Sequence, residues 1–257
     1  IERLVAEVCV LSSLLSSMLK YEGIFTLQAQ SEGVVRMLVS DVTSKGDLRA
    51  CATFDADAFS GDNKEVQPSS MDGGYMAFTV DQGEHTERYQ GIVELKPEGL
   101  VASVQNYFSQ SEQIATGLVV SVGRVDGAWR GCAIMVQKMP DETKAYNKDT
   151  VPSDVEDDWR RAMILLSSVK EEEMLSPDLD AKDILYRLFH EEGVRVYDPQ
   201  PLQKNCRCSQ DRVFAVLSGM SKEDLADMVV DGNITMTCEF CSKNYIFNPD
   251  TIQKGAH

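Results

Sequence analysis

The chain opens with apolar residues at Ile1, Leu4, Val5, Val8, Leu11, Leu15, Met18 and Leu19, the spacing of one buried helical face, and Gly23 stands where a helix-ending glycine belongs. The period then shortens. Residues 24–30, 34–41 and 48–54 read as strands, and the short connections Ser31-Glu32-Gly33 and Thr43-Ser44-Lys45-Gly46-Asp47 predict an antiparallel meander. Residues 55–74 mix Gly, Pro, Ser and Asp without a period and read as a long loop. Strands near 75–80 and 88–95 follow, then a short helix opened by Pro97 with Leu100, Val101, Val104, Tyr107 and Phe108 on one face. Residues 115–122 and 128–139 predict a hairpin across Val125-Asp126-Gly127.

From Asp154 the period lengthens again. Val155, Trp159, Ala162, Met163, Leu166 and Val169 mark a helix that ends before Ser176-Pro177, and Met163 and Trp159 read as core. A second helix, capped by Asp180, carries Ile184, Leu185, Leu188 and Phe189 and stops at Gly193. Beyond it come a helix at 211–217, another capped by Ser221 with Asp224 at its third position and closed by Gly232, and two short strands at 235–238 and 244–247. Strands in runs followed by helices indicate an α+β fold. The expected organisation is an N-terminal antiparallel-sheet domain packed with helices over 1–152, a helical linker over 153–203 and a small C-terminal four-cysteine domain over 204–257.

Charge narrows the function classes. Acidic residues outnumber basic ones by 41 to 25, a net charge of -16 over 257 residues, which disfavours any general grip on nucleic acid or anionic membrane. The charge is densest in the middle, where residues 141–200 hold 16 acids and 8 bases, so the linker helices have little apolar area and depend on docking. Residues 8–19 form the longest apolar run, yet four serines interrupt it and no basic flank precedes it; it reads as neither a membrane span nor an export signal. A cytoplasmic location is expected.

Four of the seven cysteines, Cys206, Cys208, Cys238 and Cys241, fall in the last 52 residues as a CxC and a CxxC pair. Cys9, Cys51 and Cys132 are scattered through apolar patterns and read as small buried hydrophobes. In an extended chain Cys206 and Cys208 point the same way, and a tight turn converges Cys238 and Cys241, so two local pairs can meet at tetrahedral corners around one zinc ion. A CxxC alone also suits a redox motif at a helix start, but here strands flank it. Four thiolates with zinc carry a formal charge of about -2, which Lys204, Arg207, Arg212 and Lys243 are near enough in sequence to offset, unless they are merely solvated surface. Ser242 follows Cys241 where such knuckles often carry glycine, which predicts a strained turn.

Asn205-Cys206-Arg207-Cys208-Ser209 with Thr237-Cys238-Glu239-Phe240-Cys241-Ser242 resembles the heat shock protein 33, or 33 kDa chaperonin, family. Supporting stretches are Glu87-Arg88-Tyr89-Gln90-Gly91-Ile92-Val93, Asn106-Tyr107-Phe108-Ser109-Gln110-Ser111-Glu112-Gln113 and His190-Glu191-Glu192-Gly193-Val194-Arg195-Val196-Tyr197-Asp198-Pro199-Gln200. The family's usual N-terminal stretch is not seen before Ile1, so the expected substrate-binding domain lacks that segment. The resemblance implies a redox-regulated, ATP-independent holdase: one Zn2+ per chain on Cys206, Cys208, Cys238 and Cys241 when reduced, local disulfides Cys206–Cys208 and Cys238–Cys241 when oxidised. It also implies unfolded client proteins as partners, a homodimer in the oxidised state, and a role in oxidative stress.

Two other classes compete. A zinc-ribbon-like interaction module on an unrelated domain would share the thiols, but the last 57 residues hold 7 acids and 6 bases and show no basic stripe. An enzyme finds little support: there is no phosphate-binding loop or dinucleotide fingerprint, and His85, His190 and His257 form no ligand spacing with carboxylates. His190 reads as a helix-end residue. The expectation is no catalysis.

Overall fold

The computed structural model describes residues 1–59, 71, 73–83, 86–139 and 152–254. The expected loop at 55–74 falls mostly outside these residues, as do His85 and His257. The fold is α+β, and the chain divides into two compact units, Ile1–Gln203 and Lys204–His257.

In the first unit α1 (Glu2–Ser17) precedes strands β1 (Ile24–Ser31), β2 (Val35–Thr43) and β3 (Asp47–Phe54), which pair antiparallel in sequence order. Strands β4 (Gly74–Asp81) and β5 (Tyr89–Glu94) then add on the far side of β1, so that β5 is an edge strand and the two-residue β8 (Gln203–Lys204) closes the order β5-β4-β1-β2-β3-β8. Period two in β2 sends Leu38 and Ser40 to α1, where Leu38 joins Val8, Leu11 and Leu15 in the main core and the Ser40 hydroxyl meets that of Ser12 (2.6 Å). The opposite face carries Asp41, which is buried and held by Thr26 (2.7 Å) and Arg49 (2.8 Å) from the flanking strands.

A second layer follows. Helix α2 (Leu100–Tyr107) packs with α1 between the sheet and a hairpin of β6 (Thr116–Val125) and β7 (Ala128–Gln137). Its turn, Asp126-Gly127, has φ of 51° and 79°, the two-residue geometry that matches strand twist. Leu118 and Val120 face the core, whereas Gly117, Val119, Ser121 and Gly123 face outward against three helices: α3 (Pro152–Ser167), α4 (Glu171–Leu175) and α5 (Ala181–Phe189). Small residues make that docking close. A Cβ on Gly117 would stand 2.5 Å from Met163 Sδ, and one on Gly123 would stand 2.9 Å from Leu175 Cδ1. Leu166, Met174, Ile184 and Leu188 fill this interface against Ile134, with Met163 and Phe189 partly buried beside them and Trp159 half-buried.

Four expectations are corrected. Helix α1 stops at Ser17, and Gly23 serves a close approach instead: a Cβ there would lie 2.0 Å from the Asp81 carbonyl. Pro97 sits in the turn Lys96–Gly99, so α2 starts at Leu100. The single helix expected up to Ser176 is two, because the Lys170 N–H turns to the Glu173 carboxylate (2.9 Å) and restarts the helix as α4. Gly232 closes no helix; with Asp231 it makes a positive-φ turn between β9 (Val229–Val230) and β10 (Asn233–Thr237), while α7 (Lys222–Asp227) ends earlier.

The second unit has its own small core. After α6 (Gln210–Ser218) and α7, strands β9, β10 and β11 (Asn244–Phe247) form an antiparallel sheet in the order β11-β10-β9, and α8 (Pro249–Lys254) closes the chain. Leu217, Leu225, Ile234, Tyr245, Phe247 and Ile252 are its buried residues. Ser209 caps α6 by accepting from the Arg212 N–H (3.2 Å), and Ser221 caps α7 by accepting from the Asp224 N–H (3.1 Å), as its sequence predicts. Among the described residues no helix is long and apolar enough to cross a membrane.

Candidate metal centre

The four C-terminal cysteines reach one point from two sides. Cys206 and Cys208 lie on the extended segment before α6, where residues two apart present side chains to the same face. The Arg212 guanidinium donates to the Arg207 carbonyl (2.8 Å) and so fixes the peptide between them. Cys238 and Cys241 lie where β10 turns into β11. There the Ser242 N–H donates to the Cys238 carbonyl (2.8 Å) and the Cys238 N–H donates to the Lys243 carbonyl (3.0 Å). Ser242 takes φ of +58°, a left-handed conformation that costs a non-glycine residue energy, which is the strain its sequence position predicts.

All four sulfur atoms lie within 4.8 Å of one another. Cys206 and Cys238 are 3.7 Å apart and Cys208 and Cys241 are 3.5 Å apart. A tetrahedral site with metal–sulfur bonds of about 2.3 Å has edges of about 3.8 Å. The donor set fits a single thiophilic ion with no open position. Among the described residues this is the one group of ligand side chains with such geometry.

Protonation supports the same conclusion. Burial raises the Cys206 thiol, but hydrogen bonds from the Cys208 N–H and the three neighbouring thiols outweigh it and pull the group to about 6. At Cys241 the Lys243 N–H favours the thiolate, but the hydrogen bond with Cys208, burial, and the hydrogen bonds with Cys206 and Cys238 outweigh it and push the group up to about 12. Four adjacent thiolates repel one another unless a cation joins them. Cys9 and Cys132 differ: burial raises both thiols although each is only half-buried, and of the three scattered cysteines only Cys51 is fully the small buried residue expected.

Sequence reasoning missed Tyr245. Alternation along β11 marks it as a core residue, and its ring is buried, but its hydroxyl donates to the Cys208 sulfur at 3.1 Å. Lys243 lies over the same ring, 5.0 Å from its centre, so this one of the four nearby cations is placed beside the thiol shell. His190 caps α5, with Nδ1 3.1 Å from the Tyr186 carbonyl, and takes no part in the centre.

Residues 1–248 match the sequence model of the Hsp33 protein family. The chain belongs to the Hsp33 family. It is 35% identical over 258 residues to the 33 kDa chaperonin of Caulobacter vibrioides, covering 97% of this chain and 83% of that protein. It is 35% identical over 254 residues to the 33 kDa chaperonin of Proteus mirabilis, covering 98% and 82%. The crystal structure of the Thermotoga maritima 33 kDa chaperonin shares the fold with a TM-score of 0.77 at 17% identity, over 97% of this chain and 83% of that one. Because the Hsp33 match runs through both units, the alternative of a zinc module joined to an unrelated domain falls away.

Proposed function

We propose that this chain is a redox-regulated, ATP-independent holdase that binds unfolding proteins in the cytoplasm under oxidative stress. The observation that carries the reading is the gathering, in an Hsp33-family chain, of four thiols from two separate segments within 4.8 Å. Residues 1–152 bind clients, residues 153–203 form a linker and residues 204–257 form the switch.

In the reduced state Cys206, Cys208, Cys238 and Cys241 hold one zinc ion. Bound there, the ion supplies the positive charge that lets four thiolates coexist and ties the CxC segment to the β10–β11 turn. The core of the second unit is small, and structural zinc contributes on the order of 10 kcal/mol to folding domains of this kind.

Oxidation removes the donors. Each pair of thiolates, Cys206 with Cys208 and Cys238 with Cys241, gives two electrons to one peroxide or hypochlorite, which takes its protons from solvent and leaves as water or as water and chloride; two local disulfides form and no thiolates remain for the metal. Residues 204–257 then unfold, and the linker, joined to them and rich in charge, loosens from the β6–β7 hairpin. The apolar face of that hairpin, with Val119, Ile134 and Val136, becomes available to unfolding proteins and to a second copy of the chain. No step requires turnover of a substrate.

Light scattering from a heat-unfolded protein tests this. The oxidised chain is expected to suppress aggregation and the reduced, zinc-loaded chain is not; equal suppression by both would overturn the redox reading, and suppression by neither would overturn the holdase.

A further inference from the structure

The edge strand β5 has a row of open backbone groups. The Leu95 N–H donates to the Gly74 carbonyl (2.9 Å), and the register from Tyr75 opposite Glu94 to Val80 opposite Tyr89 carries the alternation along the strand. Tyr89, Gly91 and Val93 therefore bond to β4, while Gln90, Ile92 and Glu94 turn their N–H and C=O groups away from it. Among the described residues no other backbone or side chain takes these groups up.

Edge strands are ordinarily blunted by proline, lysine, bulges or inward-pointing charge. Strand β5 has none of these: its register is unbroken, and its single charge, Glu94, stands at the end and pairs with Lys96 (3.4 Å). Ile92 is 58% exposed and Tyr89 is 54% exposed. The strand is also held rigid. Gly91 lets the Tyr107 ring lie against it, with a Cβ there only 2.6 Å from that ring, and the Tyr107 hydroxyl bonds to Tyr89 (2.7 Å) and Glu112 (2.7 Å). These residues come from two of the stretches that carry the family resemblance.

Recesses lie on both faces of the edge. On the core side a cavity of about 550 Å³ is lined by Leu15, Phe78, Tyr89, Tyr107 and Phe108, and on the open side one of about 200 Å³ lies between Tyr75, Ala77 and Ile92. A strand added outside β5 would send alternate side chains to opposite faces, toward these two recesses.

We propose that the outer edge of β5, residues 90–94, captures an extended segment of an unfolded client by β-strand addition. The inference rests on the holdase reading and names the client chemistry: unpaired backbone amides and carbonyls flanked by apolar side chains, with little demand on sequence. Backbone bonds exchanged for bonds to water contribute little each, so the edge alone holds weakly and the apolar surface released on oxidation adds the remainder.

The probe is a short fluorescent peptide of alternating valine and threonine, compared with the same peptide N-methylated at every second amide, each titrated into the oxidised full chain. N-methylation is expected to weaken binding about ten-fold, and Ile92→Pro, which removes only an outward N–H, to weaken it similarly. Hydrogen exchange at the amides of residues 90, 92 and 94 is expected to slow when peptide is added. Equal binding of both peptides, or unchanged exchange at those amides in protein that still suppresses aggregation, would overturn the edge site and leave the holdase standing. Slowed exchange on oxidation alone, without peptide, would give the edge to a second copy and overturn this occupant. Failure of the oxidised wild-type chain to suppress aggregation would remove the holdase reading, and the inference with it.

Discussion

The Tyr245 hydroxyl donates a hydrogen bond to the sulfur of Cys208 at 3.1 Å, joining the core of the second unit to its thiol cluster. That bond is the main reason the Tyr245 phenol is pushed up to about 12, with burial and the neighbouring thiols adding to it. Partners one bond beyond a metal ligand tune its affinity by about 10–100-fold. Tyr245→Phe keeps the packed ring and is expected to weaken zinc binding about ten-fold in a chelator competition, and to speed oxidation of Cys208, whose thiolate loses a donor. Unchanged affinity and oxidation rate would assign the hydroxyl no role.

Ser242 is exposed and holds φ of +58°, so substitution there tests backbone strain with little change in packing. Ser242→Gly is expected to stabilise the reduced, zinc-loaded second unit by about 0.5–1 kcal/mol, and Ser242→Val to destabilise it by more, since a β-branched side chain is least tolerated in this conformation. Denaturant midpoints of the two variants check the order.

These two residues mark the reach of sequence reading. Ser242 was legible because its position after the CxxC fixes what the backbone must do. Tyr245 was not, because alternation along β11 reports burial and says nothing of where a hydroxyl ends. The strands at 24–54 and the β6–β7 hairpin follow from period two and turn residues, but placing β4 beside β1 is a tertiary choice. The break before α4 contains neither glycine nor proline and depends on the Glu173 carboxylate reaching back to Lys170. Gly23 and Gly232 carry the same residue type as a helix stop, and only the Asp81 carbonyl and the β9–β10 turn reveal their work.

Gly117 lies under Met163 and Leu166 of α3, which leaves no room for a side chain. Gly117→Val suits a strand and leaves every cysteine in place, so it is expected to displace α3 from the hairpin without oxidation. Faster amide exchange across α3 and partial suppression of aggregation by the reduced protein are the expected results. A variant as inactive and as protected as wild type would break the proposed link between linker docking and activity.

Burial raises the Glu7 carboxyl above its ordinary value, with Arg3 opposing weakly. The ionised form is therefore the one the fold disfavours: the cost is absent below the unfolded carboxyl range and grows as pH rises through the folded value. Glu7→Gln is expected to raise the unfolding temperature at neutral pH, with the gain vanishing near about pH 4. A gain independent of pH would point to packing instead.

The most direct test of the central claim is disulfide mapping by mass spectrometry on oxidised, active protein, with zinc release measured in the same sample. In the folded cluster two short sulfur pairs cross between segments, Cys206 with Cys238 at 3.7 Å and Cys208 with Cys241 at 3.5 Å. If the second unit comes apart as it is oxidised, sequence neighbours meet instead. The account predicts Cys206–Cys208 and Cys238–Cys241 with one zinc released per chain; crossed disulfides, or full activity with all four thiols reduced and zinc retained, would contradict it.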